Sequence, residues 1–234
     1  MKNRVLEISG ALSQLFFPKH CLGCGSDLVS DKNPICAACI QQLPLTKFEN
    51  FAENPVERIF WGRVKIKAAS AHYYFTKDSR LQQIMHQFKY KSRLEVGIYF
   101  GKKIGKALTE SGRFNDIQAI VPLPLFRVRE KIRGFNQAEI LCRGISEKMG
   151  VPLYSQTISR QSSTKTQTTK DRIARWQNMK GKFQITSPGP LLNKHVLLVD
   201  DIITTGATLD ACANVLQEID GISISIAALA YTVL

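Results

Sequence analysis

The chain alternates short apolar runs with segments in which apolar residues recur every three or four positions. The apolar runs predict strands buried in a sheet, and they span 68–75, 116–121, 195–199 and 222–231. The amphipathic segments predict helices at 81–88, 94–108, 136–149 and 207–219. Strands that alternate with helices in this way indicate an α/β domain with a mostly parallel central sheet flanked by helices.

The same pattern divides the chain into three regions. Residues 1–48 contain an apolar row with helical spacing, which Pro18 ends, followed by four cysteines. Residues 49–67 lack strong periodicity and are predicted to connect this part to the α/β domain at 68–234. Within that domain, residues 160–182 are polar, basic and rich in Ser and Thr, which predicts a long mobile loop.

The four cysteines form two C-x2-C pairs separated by eleven residues: Cys21 with Cys24, and Cys36 with Cys39. Each pair brings two thiolates to one side of a turn, so four sulfurs can close a tetrahedral structural Zn²⁺ site. A segment this short has little core, and the metal would supply much of its stability. The alternatives are reduced pairs that have lost their metal, or a redox dithiol.

Composition excludes several classes of protein. The chain has 234 residues, of which 44% are hydrophobic, and its 15 Gly and 9 Pro are ordinary numbers, so a disordered or collagen-like chain is excluded. Its apolar runs fall short of the roughly 20 residues that span a bilayer, which predicts no membrane insertion. Polar residues interrupt the apolar row near the N-terminus, so we expect no signal peptide and a cytoplasmic protein.

The net charge of +13 is unevenly distributed. Residues 1–48 carry +2, 49–120 carry +6, 121–186 carry +9, and 187–234 carry −4. A uniformly basic nucleic-acid-binding surface would not produce this division. It favours a site for a polyanionic small molecule, with guanidinium groups facing one part of the ligand and carboxylates facing another.

The most informative segment is 196–208, where an apolar strand ends in Asp200 and Asp201 and a turn of small residues then begins a helix. Ligands of open α/β sheets bind at the carboxyl ends of strands. The turn at 204–208 can direct backbone N–H groups and hydroxyls at one anion, and the helix adds the positive end of its dipole. The two aspartates can accept hydrogen bonds from hydroxyl groups. A phosphorylated sugar satisfies both requirements.

This segment closely resembles the phosphoribosyl pyrophosphate (PRPP) binding motif of type I phosphoribosyltransferases. The resemblance implies that Asp200 and Asp201 are catalytic residues that contact the ribose 2′- and 3′-hydroxyls. It also implies that five residues hold the 5′-phosphate: Thr204, Thr205, Gly206, Ala207 and Thr208.

The rest of the chain narrows the resemblance to one family of phosphoribosyltransferase-like proteins. The four cysteines, MHQFKYKSR at 85–93 and VPLPLFRVREKIRGFNQAEIL at 121–141 together resemble the ComF family of competence-associated phosphoribosyltransferase-like proteins. The family implies a type I phosphoribosyltransferase fold with a small N-terminal four-cysteine zinc-binding module. In this fold the loop after the second core strand binds pyrophosphate, which points here to Leu123, Arg127 and Arg133.

The basic loop at 160–182 suits a flexible lid, and three of its residues are candidates to reach phosphate oxygens: Arg160, Lys165 and Arg172. The alternatives for this loop are a disordered linker or a contact with an anionic surface.

Three functions remain open at this point. The first is an enzyme that binds PRPP with Mg²⁺ and transfers the phosphoribosyl group to an acceptor that no residue identifies. The second is a non-catalytic protein on the same scaffold that binds single-stranded DNA or a competence helicase, for which the basic stretch 121–186 and Trp176 are the candidate surface. The third is a regulatory protein that senses nucleotides without turnover. The family resemblance carries an association with DNA uptake in natural transformation.

Overall fold

A computed structural model of the chain describes residues 20–27, 29, 33–90, 93–160 and 182–233. The helix predicted before Pro18 and nearly all of the loop predicted at 160–182 lie outside the described residues. The strands are β1 (Ala69–Phe75), β2 (Ala119–Pro122), β3 (Ile158–Arg160), β4 (Phe183–Ile185), β5 (His195–Ile203) and β6 (Ser223–Thr232). The helices are α1 (Ala37–Gln41), α2 (Pro55–Phe60), α3 (Arg80–Tyr90), α4 (Leu94–Ser111), α5 (Arg127–Arg133), α6 (Gln137–Met149) and α7 (Ala207–Leu216). Short 3₁₀ turns occur at Phe48–Asn50 and Gly189–Leu191.

Four of the strands form a parallel sheet in the order β1-β6-β5-β2. His195 of β5 lies opposite Ser223 of β6, and Val196 lies opposite Ala119 of β2. Because the strands are parallel, their carboxyl ends meet at one edge of the sheet. β5 is an inner strand and extends to Ile203, so Asp200 and Asp201 lie near that edge, next to the end of β2.

The sheet has an apolar core on each face, because side chains alternate along β5. Leu197 and Val199 pack on one side, in a cluster with residues of α3, α4 and α6. Val196 and Leu198 pack on the other side, with residues of α2 and α7. All four side chains are fully buried. Burial of such a side chain stabilises a fold by about 1.5–3 kcal/mol, so this short run contributes strongly to stability.

Helices α4 and α6 cross at very short range. A Cβ atom added to Gly101 would lie 2.2 Å from the carbonyl oxygen of Leu141, and one added to Gly144 would lie 2.4 Å from that of Ile98. Larger side chains at either position would separate the helices. This close contact fixes α6 against α4, and α6 begins just after the segment that leaves β2.

The region at 49–67, which the sequence predicts to be a connection without strong periodicity, is partly helical. It contains α2, which Asn54 caps by accepting hydrogen bonds from the N–H groups of Val56 and Glu57 at 3.0 and 3.1 Å. The Asn54 amide also donates to the Ala69 carbonyl at 2.8 Å, which ties the helix to β1. A six-residue helix shows less than two turns of periodicity, which is why its pattern is not detectable in sequence.

A two-stranded antiparallel ribbon borders the predicted lid. β3 pairs with β4, and Arg160 lies opposite Phe183. Residues 161–181, which join these two strands, lie outside the described part of the chain. No helix among the described residues is both long and apolar enough to cross a bilayer.

Candidate functional site at the carboxyl edge of the sheet

The two aspartates at the end of β5 occupy different environments. The N–H group of Asp201 donates to the carboxylate of Asp200 at 2.7 Å, so the two residues form one acidic unit. Burial, followed by the nearby charge of Asp201, raises the pKa of Asp200 from its ordinary 3.8 to about 8. Asp200 is therefore mostly protonated at neutral pH in the free protein.

Asp201 forms an ion pair with Lys89, which lies in the last turn of α3. The Nζ atom of Lys89 is 2.7 Å from Oδ2 of Asp201, and the two side chains are only 19% and 17% exposed. Lys89 was not predicted as a site residue. Nothing in the sequence of α3 indicates that Lys89 reaches β5. The one sequence signal for Lys89 is its position within the stretch 85–93, which carries the family resemblance.

The turn after β5 presents a candidate phosphate-binding surface. Thr204 and Thr205 are exposed, and Gly206 precedes α7 with a φ of 70°. A Cβ atom at Gly206 would lie 2.5 Å from Cγ2 of Ile59, so the turn rests directly on the end of α2. Gly206 has no side chain to cap α7. The first-turn N–H groups of the helix have no intrahelical acceptors and are available to an anion.

Arg63 is a second residue near the site that was not predicted from sequence. Its Nη1 atom donates to the carbonyl oxygen of Thr205 at 3.2 Å, which brings a positive charge to the turn at 204–208. Nearby, Asp210 is buried, and burial raises its pKa although the charge of Arg63 and a hydrogen bond from Asn214 oppose the rise. No sequence pattern predicts that Arg63, 142 residues away in the chain, contacts this turn.

The segment predicted to bind pyrophosphate runs from the end of β2 through α5. The N–H group of Leu123 donates to Val199 at 2.8 Å, and the Leu123 carbonyl accepts from the Asn136 side chain at 3.0 Å. The backbone groups of Leu123 are therefore already engaged. Arg127, the first residue of α5, is exposed, and Arg133, the last, donates to Oε1 of Gln137 at 2.6 Å.

Of the three predicted lid residues, only Arg160 is described. It lies at the end of β3 with its guanidinium carbon 3.6 Å from the centroid of the Phe126 ring, and its Nε atom is buried with no hydrogen bond among the described residues. Desolvation, together with the charge of Arg129, lowers the pKa of Arg160, while Asp200 opposes the shift. Arg160 is thus packed beside the site at the base of the loop. Lys165 and Arg172 lie outside the described residues, as does Trp176.

The four cysteines of the predicted zinc module come together. Their Sγ atoms all lie within 4.8 Å of one another, and those of Cys24 and Cys36 are 3.7 Å apart. A tetrahedron with metal–sulfur bonds of about 2.3 Å has edges of about 3.8 Å, so the cluster has the dimensions to hold a metal ion such as zinc.

Backbone donors stabilise a thiolate at Cys21. The N–H groups of Cys36 and Gly23 lie 3.2 and 3.4 Å from its Sγ atom. Burial alone would raise the pKa of Cys21, but hydrogen bonds from the N–H groups of Cys36, Gly23 and Cys24 lower it to about 6. Thiolates are the form that binds metal. Cys142 and Cys212, which the sequence predicts to be core thiols, are fully buried elsewhere.

The cysteine module packs on the helix that carries Lys89. Cys21, Cys36 and Cys39 share one apolar cluster with Leu81, Ile84, Met85 and Phe88 of α3. Arg80, the first residue of α3, also donates to the carbonyl oxygen of Gly23 at 2.7 Å. Helix α3 therefore joins the module at one end to the acidic pair of β5 at the other.

Comparison with known proteins agrees with this architecture. The model of the phosphoribosyl transferase domain matches residues 133–232, which include the acidic pair and the turn at 204–208. The chain is 26% identical over 220 residues to Competence protein F of Haemophilus influenzae, an alignment that covers 87% of this chain and 93% of that protein. It is 26% identical over 201 residues to Competence protein ComFC of Bacillus subtilis, covering 86% and 78% of the two chains.

A third relative is the DNA utilization protein YhgH of Salmonella typhimurium, which is 32% identical over 139 residues. That alignment covers 58% of this chain and 60% of the relative.

The predicted fold class is confirmed by the parallel sheet, the phosphoribosyl transferase domain match and the clustered cysteines. Taken together, these homologues and the phosphoribosyl transferase domain match support a ComF-family, phosphoribosyltransferase-like protein.

Proposed function

We propose that the carboxyl-edge site binds PRPP, or a related 5-phosphorylated ribose, together with Mg²⁺. The observation that carries this proposal is the placement of Asp200 and Asp201 immediately before an uncapped helix N-terminus. The carboxylates accept hydrogen bonds from the ribose 2′- and 3′-hydroxyls. The 5′-phosphate binds the N–H and hydroxyl groups of five residues: Thr204, Thr205, Gly206, Ala207 and Thr208.

The pyrophosphate group of PRPP extends toward the segment that follows β2. Arg127 and Arg133 supply cationic donors on this side. Leu123 holds the start of the segment against β5. Mg²⁺ is carried mainly by the oxygens of the substrate, because this cation keeps several waters and few protein ligands at phosphate sites. The loop that begins at Arg160 closes over the ligand, with Lys165 and Arg172 contributing further positive charge.

On this basis the protein is an enzyme of the pentosyl-transfer type. The bond between C1 of the ribose and the pyrophosphate oxygen breaks, the pyrophosphate leaves with its electron pair, and an acceptor nucleophile forms the new bond to C1. Asp200 and Asp201 hold the ribose and stabilise the positive charge that develops on the ring. The closed loop excludes water, which would otherwise hydrolyse the activated sugar.

The cysteine module has a structural role in this proposal. Cys21, Cys24, Cys36 and Cys39 bind Zn²⁺ with no open position for a substrate. In this proposal, residues 1–48 carry the module, 49–67 connect it, and 68–234 form the phosphoribosyltransferase-like domain. The protein acts in the cytoplasm.

Isothermal titration with Mg²⁺ and PRPP tests the proposal. We expect the wild-type protein to bind and the double variant Asp200→Asn/Asp201→Asn to lose at least about 100-fold in affinity, because each carboxylate accepts hydroxyl hydrogen bonds worth about 1.5–3 kcal/mol. The matched control is Asp116→Asn, which changes an aspartate at the opposite edge of the sheet. Absence of binding at millimolar ligand, or equal affinities of the three proteins, would contradict the proposal.

The second candidate function is binding of single-stranded DNA or of a competence helicase during DNA uptake. Two observations favour it. Helix α5 has no buried residue and carries Arg127, Arg129, Lys131 and Arg133, and the relatives are named for competence and DNA utilization. Charge of this kind predicts binding that weakens steeply with salt.

Fluorescence anisotropy with a labelled oligonucleotide, measured between about 50 and 200 mM salt, tests this candidate. We expect Arg129→Glu/Lys131→Glu, which spares the two arginines assigned to pyrophosphate, to reduce both the affinity and the salt dependence. A salt-independent interaction, or unchanged binding of this variant, would argue against DNA binding by α5.

A further inference from the structure

We propose that Lys89 is a ligand-contacting residue of this site. In the free protein its ammonium group pairs with Asp201, and in the complex it also donates to the pyrophosphate side of PRPP. This inference rests on the proposed function and adds to it a cationic residue from outside the phosphate turn and the pyrophosphate segment.

The first line of support is the location of Lys89 between two parts of the site. On one side, its Nζ atom is 2.7 Å from Oδ2 of Asp201. On the other, its two chain neighbours contact the segment that leads from α5 to α6. The ring of Phe88 lies 5.7 Å from that of Phe135, and the ring of Tyr90 lies 5.7 Å from the guanidinium carbon of Arg133. The last turn of α3 therefore lies between the ribose side and the pyrophosphate side.

The second line of support is the hydrogen-bonding capacity of the ammonium group. A lysine has three N–H donors, and the described contact with Asp201 uses one of them. When ribose hydroxyls occupy the carboxylate oxygens of the acidic pair, Asp201 has less capacity left for Lys89. A partly buried ammonium then requires another anionic partner, because an uncompensated charge in such a position is costly. The nearest anionic group in a bound PRPP molecule is its pyrophosphate.

The third line of support is that Lys89 is held in place before any ligand binds. Helix α3 is anchored by four buried residues, Leu81, Ile84, Met85 and Phe88, and by the hydrogen bond from Arg80 to the module. A cation on a fixed helix loses little conformational freedom on binding, so more of its interaction energy appears as affinity.

Titration of Lys89→Met with two ligands distinguishes ligand contact from a purely structural role. PRPP and ribose 5-phosphate share the ribose and the 5′-phosphate, and only PRPP carries the pyrophosphate. We expect Lys89→Met to lose at least tenfold in affinity for PRPP and to change less than about twofold for ribose 5-phosphate. Lys89→Arg, which keeps the charge, should retain most PRPP affinity. The matched control is Lys106→Met, which removes an exposed lysine that pairs with Glu110 on α4.

Three results would have distinct meanings. Equal losses for both ligands would show that Lys89 only positions Asp201, and unchanged affinity for both would remove Lys89 from the site; either result overturns the inference. Failure of the wild-type protein to bind either ligand would instead overturn the proposed function. Circular dichroism identifies a variant that does not fold, and Lys89→Gln then provides the same comparison with a polar side chain of similar length.

Discussion

The two edges of the parallel sheet each carry a lysine–aspartate pair, and the pairs differ in surroundings more than in geometry. At the carboxyl edge, Lys89 and Asp201 are 2.7 Å apart and less than a fifth exposed. At the amino edge, Lys67 and Asp116 are 2.9 Å apart but 51% and 58% exposed. Similar distances therefore join groups with very different access to water, which decides how much each interaction is worth.

The neighbours of the two pairs also differ. Oδ1 of Asp116 additionally lies 2.9 Å from Nδ1 of His195, and Nε2 of the same ring lies 2.9 Å from the Ser225 hydroxyl, so neutral polar groups of the protein adjoin the amino-edge pair. At the carboxyl edge, a second carboxyl group adjoins the pair, and the turn that follows in the chain carries the open N-terminus of α7 and the charge of Arg63. Where the protein neutralises its own charged groups only in part, a charged ligand can neutralise the rest. We therefore expect functional chemistry at the carboxyl edge.

The largest expected effect concerns the support of the carboxyl-edge pair. Loss of metal through Cys39→Ser should lower the stability of the module by more than about 3 kcal/mol, because a buried four-thiolate site supplies folding free energy. Hydrogen exchange should then quicken along α3, which packs on the module, while β5 and β6 keep their protection. Cys142→Ala, a buried thiol on α6, is the control and should leave the metal content unchanged. Unaltered exchange in α3 would show that the module does not support this helix.

The second prediction is a pH dependence confined to the carboxyl edge. The raised pKa of Asp200 means that its carboxyl group must lose a proton to accept two ribose hydroxyls, so affinity for Mg²⁺–PRPP should rise with pH and level off above about 8. The increase should reach up to tenfold per pH unit below the pKa. Titrations between pH 6 and 9 measure it.

Two variants control this pH experiment. Asp200→Asn should retain only the pH dependence that belongs to PRPP itself. Asp116→Asn should behave as the wild-type protein does, because a hydrogen bond from Lys67 lowers the pKa of Asp116 and keeps it ionised throughout this range. An identical profile in wild type and Asp200→Asn would exclude Asp200 as the titrating group.

A third, smaller effect concerns stability and has the opposite sign. The pKa of Asp200 is about 8 in the folded chain and 3.8 ordinarily, so the protonated group stabilises the fold at low pH, and this contribution is lost as pH rises from about 4 through 8. Asp200→Asn should therefore be more stable than wild type at pH 9, by at least about 1 kcal/mol, and should lose this advantage at pH 4. Urea unfolding at the two pH values measures the difference. A stability difference between the two proteins that is the same at pH 4 and pH 9 would contradict the raised pKa of Asp200.

The smallest expected effects come from the two ion pairs themselves. A double-mutant cycle with Lys67→Met and Asp116→Asn should give a coupling free energy of no more than about 0.5 kcal/mol, because exposed pairs are screened by water. The cycle with Lys89→Met and Asp201→Asn should give about 1–2 kcal/mol, since these groups are less exposed and lie beside a second carboxyl group. Denaturant unfolding of both sets is the measurement. Equal couplings would show that burial does not distinguish the two edges.

Much of the fold was predictable because the inner strands of a parallel sheet are buried on both faces. The run at 196–199 is apolar throughout, and it lies in β5. The turn at 204–208 was also detectable, because the residues of a phosphate-binding turn are consecutive in sequence. Helices α2 and α5 were missed, since six or seven residues make no more than about two turns and show little periodicity.

The missed site residues have a common cause. Lys89 and Arg63 reach the site from helices or turns far from it in sequence, and a single basic residue carries no local pattern. Asp200 and Asp201 were predicted as equivalent catalytic residues, yet the pKa of Asp200 is raised by burial while Asp201 is paired with a lysine. Adjacent identical residues on a strand point to opposite sides, so their environments depend on what packs on each face.

The sequence by itself determined the alternation of strands and helices, the four-cysteine spacing and the acidic strand end that precedes a helix. These features depend on residues that are close in the chain, and their physical consequences follow from local geometry. Only the tertiary structure decided that α3 connects the cysteine module to Asp201, that Arg63 reaches the turn at 204–208, and that one lysine–aspartate pair is mostly buried while the other is exposed. Charge and burial act through space, and the distances through space are set by the packing of the whole sheet.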